Sequence, residues 1–177
     1  MRDIESTASG LLDRLKIADT PIPIKRIIRE LDIKLSSFDL GNDVSGVLVI
    51  EDDSARIGYN PSEPIVRQRF TLAHELGHYL LHSGQKQNNL FVDNIKVMFR
   101  RQGSTPKELR QEKQANAFAA ALLMPKSLVQ QEYEKLSARE KQLTDDNIVK
   151  KLSSVFKVSE IAMTYRLMNL EYIHDNY

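Results

Sequence analysis

The sequence predicts an α+β domain in which a small antiparallel sheet packs against two helices, followed by a helical C-terminal segment. Three observations carry that expectation. Apolar residues recur at helical spacing in stretches separated by Pro and Gly. Three short runs rich in Val, Ile and Leu cluster between residues 33 and 60, bounded by Gly, Asn and Asp. A helical stretch free of Pro carries His74-Glu75-Leu76-Gly77-His78, and a second follows through residues 104–124.

Taken in order, Ala8, Leu11, Leu12 and Leu15 mark a first amphipathic helix that ends near Asp19-Thr20-Pro21. A second starts at Pro23 with Ile24, Ile27, Ile28 and Leu31 on one face. Ile33 to Phe38 and Val44 to Ile50 read as strands split by Gly41-Asn42, and Arg56 to Asn60 as a third after the Asp52-Asp53-Ser54 turn. Asn60-Pro61-Ser62 punctuates the entry to the motif helix. Residues 83–104 open on a polar run, Ser83 to Asn89, and continue as the mixed segment Leu90 to Gln102. Such a connection is either a lid over a cleft or a further strand. Thr105 with Glu108 then forms a capping box, and Pro106 suits the first helical position. Leu109, Phe118, Leu122 and Leu123 supply apolar packing to that helix.

The expected division is 1–125 for the main domain and 126–177 for the helical segment. In the latter, Thr144-Asp145-Asp146 starts a helix bearing Ile148, Val149, Leu152, Val155 and Phe156. The turn Lys157-Val158-Ser159 leads to another helix, a pair resembling a helix-turn-helix. A DNA reader would aim Thr164, Tyr165 and Arg166 at a groove. Few basic residues in that helix, and a net charge of +1, favour a packing or docking role instead.

Composition bounds the class. At 177 residues, 41% hydrophobic and 28% charged, the chain can bury a real core and looks like a globular protein. The first residues carry acids early and lack the apolar core of a signal peptide. The longest apolar run, Ala117 to Met124, is far short of the ~20 residues that span a bilayer. There is no cysteine, as suits a reducing compartment. Cytoplasm is the expected location.

The five-residue motif carries the chemistry. Residues four apart lie on one helical face, so His74 and His78 can grip one metal ion. Glu75, rotated by about 100°, can reach a water on that ion without being a ligand. His82 continues the stripe at i+8, about 12 Å from His74 along a straight helix, too far to share an ion with it. A catalytic zinc site wants three protein ligands and an open position. The third must come from another segment, and without cysteine it is a carboxylate or His174. Glu112 shares a face with Asn116, which can orient a ligand histidine through its other ring nitrogen. Glu108 is the rival. Spacing alone leaves Glu112 as ligand and Glu112 as solvated charge evenly matched.

The residues Arg69 to His78, Leu81-His82 and Glu112 to Pro125 together resemble the ImmA/IrrE family of zinc metallopeptidases, which are gluzincin-like. The resemblance is specific across 56–125 and looser on either side. It implies a zincin-like fold, one Zn2+ per chain, Glu112 as third ligand beside His74 and His78, and Asn116 behind them, where related gluzincins often carry Asp. Glu75 would then be the general base, taking a proton from water and returning it to the leaving amine. The oxyanion needs a further stabiliser; Tyr59, His82 and a residue from 84–104 are candidates. In zinc peptidases with this helix pair an edge strand commonly pairs with extended substrate. Val44 to Ile50 and Arg56 to Asn60 are candidates for that edge, or plain strands.

The resemblance also implies a regulatory protease whose protein substrate is a helix-turn-helix repressor, cleavage of which releases transcription. The alternatives are a non-catalytic anti-repressor module that binds without cutting, and a DNA-binding regulator on a zincin fold.

Overall fold

A computed structural model describes residues 4–38, 44–51, 54–83, 89–94, 105–139 and 144–173, with the backbone alone for 89–94. Its elements are α1 Ile4–Arg14, α2 Ile24–Glu30, β1 Lys34–Ser37, β2 Val44–Glu51, β3 Ser54–Tyr59, α3 Ile65–His82, β4 Asn89–Asn94, α4 Pro106–Leu123, α5 Lys126–Arg139, α6 Asp145–Phe156 and α7 Glu160–Asn169. Contacts group the chain into two units, Pro23–Ala119 and Met1–Ile22 with Ala120–Tyr177.

The first of these units holds the sheet. Its strand order is β1-β3-β2-β4. Two pairings are antiparallel, β2 with β3 and β2 with β4, while β1 runs parallel to β3. Strand period places Gly46 and Leu48 of β2 on the same face as Ala55, Ile57 and Tyr59 of β3, through the pairs Gly46↔Tyr59, Leu48↔Ile57 and Ile50↔Ala55. Leu48 and Ile57 are fully buried there, and α3 packs on β2 and β3. The segment that sequence left open between lid and strand is a strand over Asn89–Asn94; residues 95–104 lie outside the described ones. The edge assignment changes. Val44–Ile50 and Arg56–Tyr59 are paired on both sides, so the edges among the described residues are β1 and β4. Of the described strands consecutive in sequence only β2 and β3 pair, and β4 arrives after α3 and covers the side of β2 that β3 leaves free.

Entry to α3 is set by Asn60, whose side-chain oxygen accepts from Ser62 N at 2.9 Å, the turn expected of Asn-Pro-Ser. The start of α4 is the expected capping box: Glu108 N donates to Thr105 Oγ1 at 3.2 Å and Thr105 N to Glu108 Oε2 at 2.8 Å. Leu109 departs from expectation, standing 48% exposed while Phe118, Leu122 and Leu123 are fully buried.

The second unit contains α1, α5, α6 and α7. Ala8, Leu11 and Leu12 of α1 are buried, as are Ile148, Leu152 and Phe156 of α6 and Met163 and Leu167 of α7. Thr144 caps α6 and Ser159 caps α7 through side-chain oxygens. Lys157, at φ 51°, ends α6 in the left-handed conformation. Arg166 is buried rather than aimed outward: Nε donates to the Met124 carbonyl at 2.9 Å, and both terminal nitrogens bond the Glu5 carboxylate. Its guanidinium is therefore not a groove contact. No helix among the described residues is long and apolar enough to cross a membrane.

Candidate metal centre

From Thr71 to His78 every residue of α3 is buried, so the helix is enclosed on all sides and its polar groups face protein. His74 is 3% exposed, His78 2%, and Glu75 0%. On α4 the i, i+4 spacing puts Glu112 and Asn116 on the face toward the histidines, as expected. What lets α4 come so near is Gly77. A Cβ there would stand 3.1 Å from Phe118 Cδ1 and 3.2 Å from both Cα and O of Ala115, closer than side chains usually sit.

Three donor groups converge. His74 Nε2 is 3.0 Å from His78 Nε2 and 3.3 Å from Glu112 Oε2, and His78 Nε2 is 3.2 Å from Glu112 Oε1. One ligand atom from each of the three lies within 4.8 Å of the others. Ligands at about 2.0–2.1 Å around a tetrahedral zinc stand about 3.3 Å from one another. The cluster has that spacing. His74 Nδ1 lies 2.8 Å from Asn116 Oδ1. An amide oxygen only accepts, so Nδ1 carries the proton and Nε2 presents a lone pair. That lone pair, the His78 nitrogen and a carboxylate all face one point, an arrangement that suits a shared cation. The residues fit a divalent metal.

Electrostatics agree. Burial by itself raises the Glu112 carboxyl, but the adjacent His74 and His78 rings outweigh it and hold the group well below the usual carboxylate range. Glu108 bonds Thr105 in the helix cap, whereas the group that could hold a metal is His74, His78 and Glu112.

His82 lies beside the cluster, its ring centroid 5.5 Å from that of His78, and both it and Tyr59 have partners of their own. His82 Nε2 faces the Gln111 carbonyl at 3.3 Å, tying the end of α3 to α4 one residue before Glu112. Its pKa is lowered, first by burial and then by His78. The Tyr59 hydroxyl accepts from Lys25 Nζ at 2.8 Å, engaging α2.

Sequence reasoning missed Gly46. It faces α3 without a side chain; a Cβ would overlap Thr71 Cγ2 and stand 3.3 Å from Glu75 Oε1. A Gly inside a strand pattern signals such close approach, and Val44-Ser45-Gly46-Val47 carried that signal. Beside it, Ser45 Oγ donates to Glu63 Oε1 at 2.8 Å and accepts from Arg67 Nη2 at 2.9 Å, clipping β2 to the first turn of α3.

A solved structure of a Mycobacterium tuberculosis transcriptional regulator shares this fold with a TM-score of 0.62 at 17% identity, over 95% of this chain and 47% of that one. The chain thus spans about half the length of that regulator. No curated protein is similar enough in sequence to match. The family described as peptidase M78, IrrE N-terminal-like domain, matches residues 28–168, which take in the sheet, both histidines of the motif, Glu75, Glu112 and Asn116. With most of its length covered by that match, the chain belongs to the peptidase M78 family.

Proposed function

We propose that this protein is a zinc-dependent endopeptidase that cuts a regulatory protein, in the first instance a helix-turn-helix repressor, and so releases transcription. The observation that carries the reading is the convergence of His74, His78 and Glu112 with a wholly buried Glu75 one residue beyond the first of them. His74, His78 and Glu112 are the ligands in this reading, and Asn116 holds the His74 ring and its tautomer. A zinc ion there supplies a Lewis acid for the peptide carbonyl and lowers the pKa of a water from about 15.7 to about 7. Glu75 accepts the proton lost by that water and hands it to the leaving amine. Burial holds Glu75 in place, so little reorganisation accompanies the transfer. Gly46 lets β2 lie close to that carboxylate.

Support for a regulatory target comes from the family and from the regulator that shares the fold. The same reading assigns the chemistry to residues 1–125, gives 126–177 a docking role, and locates the enzyme in the cytoplasm.

The test is incubation with a candidate repressor, wild type against Glu75→Gln, with and without chelator. Fragments are expected only with wild-type protein and zinc, and Glu75→Gln should lose at least about 100-fold in rate while retaining zinc. A repressor left intact in every lane while its DNA binding is still lost would sink the peptidase and favour the anti-repressor.

A further inference from the structure

A second site stands apart from the metal ligands. A cavity of about 520 Å³ opens beside β1, lined by Lys25 and Arg29 of α2, Asp32, Lys34, Ser37 and Tyr59 among others. Three cations face one carboxylate. None of Lys25, Arg29 and Lys34 forms an ion pair with a described residue. Lys25 is nevertheless held still: Nζ donates to the Tyr59 hydroxyl at 2.8 Å and stands 4.5 Å from the centre of that ring. An ammonium has three N–H donors, so this one keeps donors for a ligand while its position is already set. Among the described residues lining the cavity, Asp32 is the one carboxylate set against these three cations.

The cavity borders a sheet edge. β1 pairs with β3 on one side, and no described strand pairs with the other. Phe38, directly after β1, is 44% exposed and bonds through its N–H to the Tyr59 carbonyl, so the extended backbone continues past the last strand residue with an apolar ring on show. Among the described residues, a free side of β1, the exposed Phe38 ring and three cations with one carboxylate between them adjoin the same strand. We infer that an extended acidic segment of the protein substrate docks on β1, its backbone pairing with the strand and its carboxylates entering the Lys25–Arg29–Lys34 pocket. Calling that segment the substrate's rests on the peptidase reading; the site itself does not. Strand pairing gives affinity with little sequence demand, and the cations supply the selection for Asp and Glu.

The test uses the full chain carrying Glu75→Gln, so that nothing is cut. The probes are fluorescein-labelled ten-residue peptides of alternating Val and Glu or Val and Lys, followed by anisotropy. The Glu peptide should bind, weaken as salt rises, and weaken on the order of tenfold in Arg29→Glu/Lys34→Glu. The Lys peptide should not bind, and backbone N-methylation of the Glu peptide should reduce its affinity. Circular dichroism melting verifies that the double variant is folded, and Lys25→Met gives an independent reading if it is not. No binding, or equal affinity in the charge variants, overturns the proposal. So does full displacement by inorganic phosphate with no effect of N-methylation, which marks a small-anion site. A chain that binds the peptide but cuts no repressor loses the peptidase reading alone; one that cuts but does not bind loses only this site.

Discussion

Asn116 makes one short bond with a large consequence. By accepting from His74 Nδ1 at 2.8 Å it decides which nitrogen of that ring is left for a metal. Asn116→Ala should weaken zinc binding by about 10- to 100-fold, measured by competition against a chromophoric chelator, with little change in fold. Gly77 acts through absence. A glycine inside a helix costs about 1 kcal/mol relative to Ala, yet Gly77→Ala should destabilise the protein, by about 1–3 kcal/mol, because the new methyl presses on Ala115 backbone. Urea denaturation of the apoprotein measures it, and a gain in stability would show that α4 yields freely. His74, Glu75 and His78 were legible from the sequence because ligand spacing and helix period coincide within five residues. The choice between Glu108 and Glu112 was not legible from spacing, although the capping box that engages Glu108 was visible in Thr105-Pro106-Lys107-Glu108. Gly46 was missed because its importance comes from a helix that lies beside it only in three dimensions.

Among elements, the seam between α3 and α4 determines whether ligands from two segments meet. His82 bonds the α4 backbone next to Glu112, and its pKa is lowered by burial and by His78. A histidine with a lowered folded pKa binds its proton more readily when unfolded, so its contribution is present above about pH 6.5 and is lost as pH falls. Thermal stability of the metal-free protein should therefore drop between pH 7 and 5, and His82→Gln should flatten that slope. A slope unchanged by His82→Gln would show that His82 is not its source. The strands show the opposite case for legibility. The positions of β1, β2 and β3 were readable from Val and Ile runs within a residue or two, but not the existence of β4 or the order of the four. Order depends on which distant strand fills the free side of β2, and β4 is separated from β2 by the whole of α3.

For the molecule as a whole, the α6–α7 pair illustrates how a local pattern misleads about a surface. Read as a helix-turn-helix, it offers Arg166 to DNA. In the structure Arg166 lies between Met163 and Leu167 on the buried face, 5% exposed, and serves Met124 and Glu5. The period already hinted at this, since i, i+3 and i+4 share a face. Arg166→Met should lower stability by about 1–3 kcal/mol, because the Met124 carbonyl loses its donor, and urea unfolding followed by far-ultraviolet circular dichroism reads the change. Glu5 is 161 positions away in the chain from the arginine it meets.

That pairing has a practical side for anyone who edits the gene. The contact unit holding α5, α6 and α7 also includes α1, so its blueprint is written in two widely separated stretches of sequence. Moving residues 126–177 alone onto another scaffold would carry the Arg166 guanidinium away from both Met124 and Glu5, and deleting residues 1–22 would cost it Glu5 without touching a single helix downstream.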